Sequence, residues 1–163
     1  MHNNKIILHA CCAVCATYPI DLLKKEGYIP IVYFDNPNIY PFEEYEIRRA
    51  ELVNYCKKYD IEYCQNKYEN EVWDDFVKGL ENEPEKGLRC QKCFYYRLKN
   101  TAQFAIEKKI KFFTTTLTIS PHKKSLDIFG NMNIISYRAV FVKPFLKKIA
   151  EVCFAYESSC GML

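Results

Sequence analysis

Lys5-Ile6-Ile7-Leu8-His9-Ala10-Cys11-Cys12-Ala13-Val14-Cys15 is the stretch on which the fold turns. Its first half is a short apolar run, which predicts a buried strand over Lys5–His9. The strand then gives way to a turn carrying three thiols. A helix is predicted over residues 17–26, ending near Gly27. Pro19 is tolerated only in a first helical turn, which sets the start at Thr17 or Tyr18. A second apolar, β-branched and aromatic run, Ile29–Phe34, predicts the next strand.

The same alternation continues outward. Asp35-Asn36-Pro37-Asn38 reads as a loop. Residues 41–59 read as a helix, with Pro41 at its first position, acidic residues in its first turn, and Tyr45, Leu52, Cys56 and Tyr59 on one stripe. A third strand is expected over residues 61–64. Val72, Trp73, Phe76, Val77 and Leu80 mark a helix with Asn70 as its cap. An acidic loop at 81–87 leads into a helix over residues 90–109, with Phe94, Leu98, Ala102 and Ala105 facing inward. A fourth strand follows over 112–118, and residues 119–124 are a loop. Beyond it, Ile134-Ile135 and residues 139–142 read as short strands, and residues 144–156 as a last helix. This order predicts an α/β fold with a mostly parallel sheet and flanking helices. Its 163 residues suit a single domain, residues 1–163. Parallel sheets bind ligands at the carboxyl ends of their strands. The thiol turn, Asp35-Asn36-Pro37 and Ser120-Pro121-His122 all follow strands and are expected to converge there.

Composition narrows the setting. Nine cysteines, an odd number with no signal peptide in view, argue against an extracellular disulfide scaffold and for a cytoplasmic, reducing one. No apolar stretch approaches the ~20 residues of a membrane span. The net charge of +3 is unevenly spread: residues 1–107 carry 14 Lys/Arg against 17 Asp/Glu, and residues 108–163 carry 9 against 3. The basic end suits a polyanion such as RNA, or is simply a solvated basic face.

Cys11, Cys12, Cys15, Cys90 and Cys93 form two tight groups, a metal-site pattern. Four thiolates are the usual complement of a [4Fe–4S] cluster or a structural zinc. Neighbouring side chains such as Cys11 and Cys12 diverge, so a cluster with several irons accepts them more easily than one zinc ion. Spacing alone leaves both readings open, with iron–sulfur ahead. If Cys90 and Cys93 lie at a helix start, its positive end favours thiolate. Cys56 and Cys153 sit on apolar stripes and read as core, Cys64 is ambiguous, and Cys160 is the redox candidate, the thiol open to disulfide chemistry. His9 reads as a metal ligand, a proton donor or a hydrogen-bonded core residue. Arg89 and Arg97 flank the second pair and suit phosphate binding or salt bridges. Glu43, Glu44 and Arg48 share a helix face that i,i+4 pairing explains. There is no Walker loop and no G-x-G-x-x-G.

The motifs together resemble one family. They are Leu8-His9-Ala10-Cys11-Cys12-Ala13-Val14-Cys15, then Phe34-Asp35-Asn36-Pro37-Asn38-Ile39 with Pro41 and Glu44-Tyr45. Next comes Gly79-Leu80-Glu81-x-Glu83-Pro84-Glu85-x-Gly87-x-Arg89-Cys90-x-x-Cys93-Phe94 with Arg97-Leu98, and last Phe113-Thr114-Thr115-Thr116-Leu117-x-x-Ser120-Pro121-His122-Lys123. In this order, over about three quarters of the chain, they resemble the QueH family of cobalamin-independent epoxyqueuosine reductases. The resemblance implies a fold similar to the adenine-nucleotide α-hydrolases (HUP-like), with the Cys11-Cys12 turn where a phosphate loop often stands. It implies reduction of epoxyqueuosine to queuosine at the wobble position of tRNA. It also implies a [4Fe–4S] cluster on Cys11, Cys12, Cys90 and Cys93, and a second metal ion, iron or alternatively zinc, bound with help from Cys15. Cys15 and His9 are the expected catalytic residues. Asn36, Asn38, Arg89, Ser120, His122 and Lys123 are the expected substrate contacts. The implied partners are tRNA carrying epoxyqueuosine and an electron-donor protein.

The C-terminal segment departs from that pattern. The family closes on Tyr-Arg-Gln-x-Tyr-Cys-Gly-Cys, where this chain has Tyr156-Glu157-Ser158-Ser159-Cys160-Gly161-Met162, and residues 125–163 diverge as a whole. Two other readings follow: a non-catalytic zinc- or cluster-stabilised tRNA-binding protein, and a tRNA sulfur-transfer enzyme using Cys90 or Cys93. The missing nucleotide loop counts against the second.

Overall fold

Ile6, Ile7 and Leu8 have no exposed surface, as expected of a central strand covered on both faces. In the computed structural model, which describes residues 4–119 and 140–141, that strand is β1 (Lys5–His9). The chain continues through α1 (Ala13–Lys25), β2 (Ile29–Phe34), α2 (Phe42–Lys58), β3 (Glu62–Gln65), α3 (Asn70–Phe76), α4 (Leu88–Glu107) and β4 (Phe112–Thr115). A 3-10 turn over Thr116–Ile119 follows, and β5 is Val140–Phe141. The sheet order is β3-β2-β1-β4-β5 and every pairing is parallel. The α/β reading with a parallel sheet therefore holds.

Side-chain alternation splits the core in two. Ile6 and Leu8 of β1, with Val32 and Phe34 of β2, face α1 and α2, packing with Ile20, Leu23, Leu52 and Cys56. Ile7, Ile31 and Tyr33 point the other way, onto Phe94, Leu98, Ala102 and Ala105 of α4. The period of two along each strand sends successive residues to opposite faces, so one central strand feeds both layers. Strand order reverses between β1 and β4. In open parallel sheets that reversal opens a crevice beyond the carboxyl ends of the two strands.

Several boundaries differ from expectation. α1 starts at Ala13, four residues before Thr17, because Cys12 supplies an N-cap: its Sγ accepts from the Cys15 amide at 3.4 Å. Pro19 is thereby inside the helix, and the Thr17 hydroxyl bonds the Ala13 carbonyl at 3.0 Å. Pro41 caps α2 and is not its first residue. Asn70 is the first residue of α3, not its cap. Its Nδ2 instead donates to the Pro37 carbonyl at 3.0 Å, pinning the β2–α2 loop. α3 ends at Phe76, so Leu80 lies beyond it. α4 begins two residues before Cys90, and β4 stops at Thr115, where the 3-10 turn takes over. On α2, Tyr45, Leu52 and Cys56 are buried, whereas Tyr59 at the helix end is half exposed against Tyr55. β5 falls within the short strand expected at 139–142. The readings at Ile134-Ile135, at 144–156 and at Cys153 lie outside the described residues.

Candidate metal centre

β1 ends one residue before Ala10, and α1 starts at Ala13. Cys11 and Cys12 thus fill the turn in front of a helix N-terminus, and Cys15 lies in the first helical turn. Unpaired amides and the helix dipole favour negative charge at such a place. The three Sγ atoms lie within 4.8 Å of one another, and all three residues are half-buried. Their thiols share one network. Cys11 is held well below the ordinary thiol range, first by hydrogen bonds from Cys12 and Cys15, with the Arg97 charge adding to them against burial. Cys15 is pushed up because its proton serves Cys11, and Cys12 is raised for the same first reason. Three sulfur atoms this close together form a preformed soft-donor group. It suits zinc, iron or an iron–sulfur cluster and not a hard cation.

The second pair approaches from α4. Cys90 is in the first turn of that helix, and its amide donates to the Gly87 carbonyl at 3.1 Å. Cys93 lies one turn later. Neither joins the three-thiol group directly. Cys93 Sγ is 4.0 Å from Nη1 of Arg97. Arg97 Nη2 makes a short hydrogen bond to Asn36 Oδ1, and its Nε faces His9 Nε2 at 3.4 Å. Asn36 in turn donates to the Ala10 carbonyl at 2.9 Å, next to Cys11. The two thiol segments are therefore joined through one guanidinium and one amide. The donor chemistry, three thiols at the head of α1 with Cys90 and Cys93 in the first turns of α4, fits a thiolate-bound metal group.

His9 is fully buried at the end of β1. Its Nδ1 pairs with Thr115 Oγ1 at 2.9 Å, and its Nε2 lies 3.2 Å from the Asp35 carbonyl oxygen. Arg97 Nε–H needs a lone pair at that same Nε2, whereas the Asp35 carbonyl needs a proton there, so the two contacts cannot both be hydrogen bonds. Of the readings open to His9, the hydrogen-bonded core residue describes its surroundings. Asn36 is buried as well and serves as a tie between segments. Asn38 is half-buried, with Oδ1 unpaired among the described residues. Arg89 is exposed at the start of α4. Cys64 packs half-buried against the α4 layer, and Cys56 is core, where burial pushes its thiol up to about 11. Glu44 and Arg48 pair at 2.6 Å across one helical turn, as expected. Ser120, His122, Lys123 and Cys160 lie outside the described residues. Sequence reasoning left Arg97 as a phosphate ligand or salt-bridge partner. The structure makes it the hub, and the available signal was one arginine on the apolar face shared by Phe94, Leu98 and Ala102.

Fold and site together define an α/β domain with a parallel sheet and, at the end of its first strand, a group of three cysteines able to hold a metal ion or cluster. Solved structures agree on the fold. A predicted subunit of tRNA methyltransferase from Methanocaldococcus jannaschii superposes with a TM-score of 0.57 at 12% identity, over 91% of this chain and 74% of that one. The NH3-dependent NAD synthetase of Campylobacter jejuni gives 0.51 at 14% identity, over 98% and 76%. Residues 6–152 match the family model described as epoxyqueuosine reductase QueH, and the chain belongs to that family. The QueH of Histophilus somni (strain 129Pt) is 39% identical over 128 residues, covering 78% of this chain and 53% of the relative. That of Streptococcus pyogenes serotype M1 is 41% identical over 173 residues, covering 93% and 65%. The chain spans about half the length of the Histophilus, Haemophilus and Acinetobacter relatives it matches.

Proposed function

We propose that the chain reduces epoxyqueuosine to queuosine at the wobble position of tRNA. The observation that carries this reading is the three-thiol group at the head of α1, in a chain that belongs to the QueH family. Cys11, Cys12, Cys90 and Cys93 would hold a [4Fe–4S] cluster, and Cys15 would help bind a second metal ion, iron or zinc. When bound, such groups supply low-potential electrons and Lewis acidity toward an epoxide oxygen. The reaction takes two electrons and two protons, removes the epoxide oxygen as water and leaves a carbon–carbon double bond. The electrons come from a donor protein.

The chain's own residues bind and orient. Val14, between Cys12 and Cys15, is 81% exposed, so the thiol turn opens to solvent and a macromolecular substrate can reach it. Tyr40, 78% exposed in the loop after β2, offers an aromatic face to an unstacked base. Asn38, Arg89, Ser120, His122 and Lys123 are the further proposed substrate contacts, and Cys160 remains a proposed redox group. His9, with no exposed surface, is assigned to positioning the ends of β1 and β4, and solvent delivers the protons. Among the described residues no helix is long and apolar enough to cross a membrane.

The test is anaerobic reconstitution with iron and sulfide, followed by incubation with epoxyqueuosine-tRNA and a low-potential reductant. Nucleoside analysis should show queuosine. A protein that retains only zinc, or a cluster-loaded protein that forms no queuosine, counts against the assignment.

A further inference from the structure

Arg97 is a buried cation, 3% exposed, whose hydrogen bonds go to no carboxylate among the described residues. Its three nitrogens face three different segments: Asn36 after β2, His9 at the end of β1, and Cys93 on its own helix. An uncompensated buried guanidinium is costly, because desolvation must be offset by nearby negative charge. The Asp35 carboxyl, buried one residue before Asn36, turns to Asn66 Nδ2 at 3.5 Å and not to the guanidinium. The acidic group that the guanidinium does face is sulfur. Cys93 Sγ lies 4.0 Å from Nη1.

We propose that Arg97 is a positioning residue of the metal centre: its guanidinium ties Cys93 to the ends of β1 and β2 and balances the negative charge of a thiolate-bound cluster. The inference rests on the metal reading given above. A planar fork with fixed N–H directions can hold three segments at once, which a lysine ammonium cannot do with the same geometry. A fixed cation beside a cluster favours the reduced, more negative state.

Two variants of the full chain separate charge from geometry. Arg97→Gln removes the charge, and Arg97→Lys keeps it without the fork. After anaerobic reconstitution, iron and sulfide per chain, the cluster's midpoint potential and its lifetime against a chelator are measured. Arg97→Gln should move the potential to more negative values. Arg97→Lys should stay near the wild-type potential yet lose iron several-fold faster. An unchanged potential in Arg97→Gln, or equal shifts in both variants, overturns the proposal. If Arg97→Gln fails to fold by circular dichroism, Arg97→Lys decides alone, and a wild-type chelation lifetime overturns it. A wild-type chain that takes up no iron and sulfide removes the metal reading and this proposal with it. A loaded wild type with indifferent variants removes only this proposal.

Discussion

Both thiol-bearing segments are helix starts, but they are built in opposite ways. At α1 a cysteine is itself the cap, since Cys12 Sγ accepts the Cys15 amide. At α4 the cap and the thiols are separate. Gly87 stands at the N-cap, the Glu83 carboxylate accepts the Leu88 amide at 2.8 Å, and Cys90 and Cys93 follow inside the helix. The first segment therefore makes one side chain both helix cap and candidate ligand, while the second keeps the two roles apart. The difference follows from location. The α1 turn must fold back within three residues of a buried strand, and the thiols are all the polar side chains it has. The α4 turn is preceded by an acidic loop with a carboxylate to spare.

The largest expected effect breaks the metal site at its separable end. Cys90→Ser should abolish the proposed cluster binding and, with it, the proposed queuosine formation, at a cost of about 1 kcal/mol to the metal-free protein, because Cys90 is half-buried against the α4 core cluster. Cys56→Ser is the contrasting control. It should keep the metal and lose stability, since it buries a hydroxyl in the core beside Leu52. Iron analysis and thermal melts of both variants check the pair. Next in size is Gly87→Ala, which tests the α4 cap without touching a thiol. An added Cβ would lie 2.5 Å from Glu83 Oε2 and 2.9 Å from the Pro84 carbonyl oxygen. The carboxylate can swing away, but the backbone carbonyl cannot. A loss of about 1–3 kcal/mol is expected by chemical denaturation, the range for overpacking a tight contact.

Much of this architecture was legible because the strands are short apolar runs punctuated by glycine, proline and asparagine. β1 and β2 were read to their exact bounds for that reason. The start of α1 was not, because a cysteine is an unusual cap and Pro19 suggested a later beginning. Asn70 looked like a cap but is drawn to the Pro37 carbonyl, a tertiary contact invisible to local pattern. The site was legible as two groups of thiols, since clustered cysteines have few other uses in such a chain. Their connection was not. It runs through Arg97 and Asn36, which are 61 residues apart in sequence and meet only when β2 and α4 pack. An arginine on an apolar face can be seen in sequence, but the distant partners it reaches cannot.

The smallest predicted effect bears most directly on the contrast between the two helix starts. If Cys12 caps α1 as well as offering a ligand, its two roles should separate by substitution. Cys12→Ala removes both, and Cys12→Ser restores a hydroxyl that ranks among the best N-caps while remaining a poor ligand for soft metals. In the metal-free protein the alanine variant should be less stable than the serine variant by about 0.5–2 kcal/mol, the usual worth of an N-cap, with neither binding iron. The thiol cap is long, at 3.4 Å, which places the expected difference toward the lower end. Equal stabilities, measured by urea denaturation under reducing conditions, would mean that α1 does not need its cap. The head of α1 would then be as separable as that of α4, with packing of Ala16, Ile20 and Leu23 against the sheet holding the helix in place.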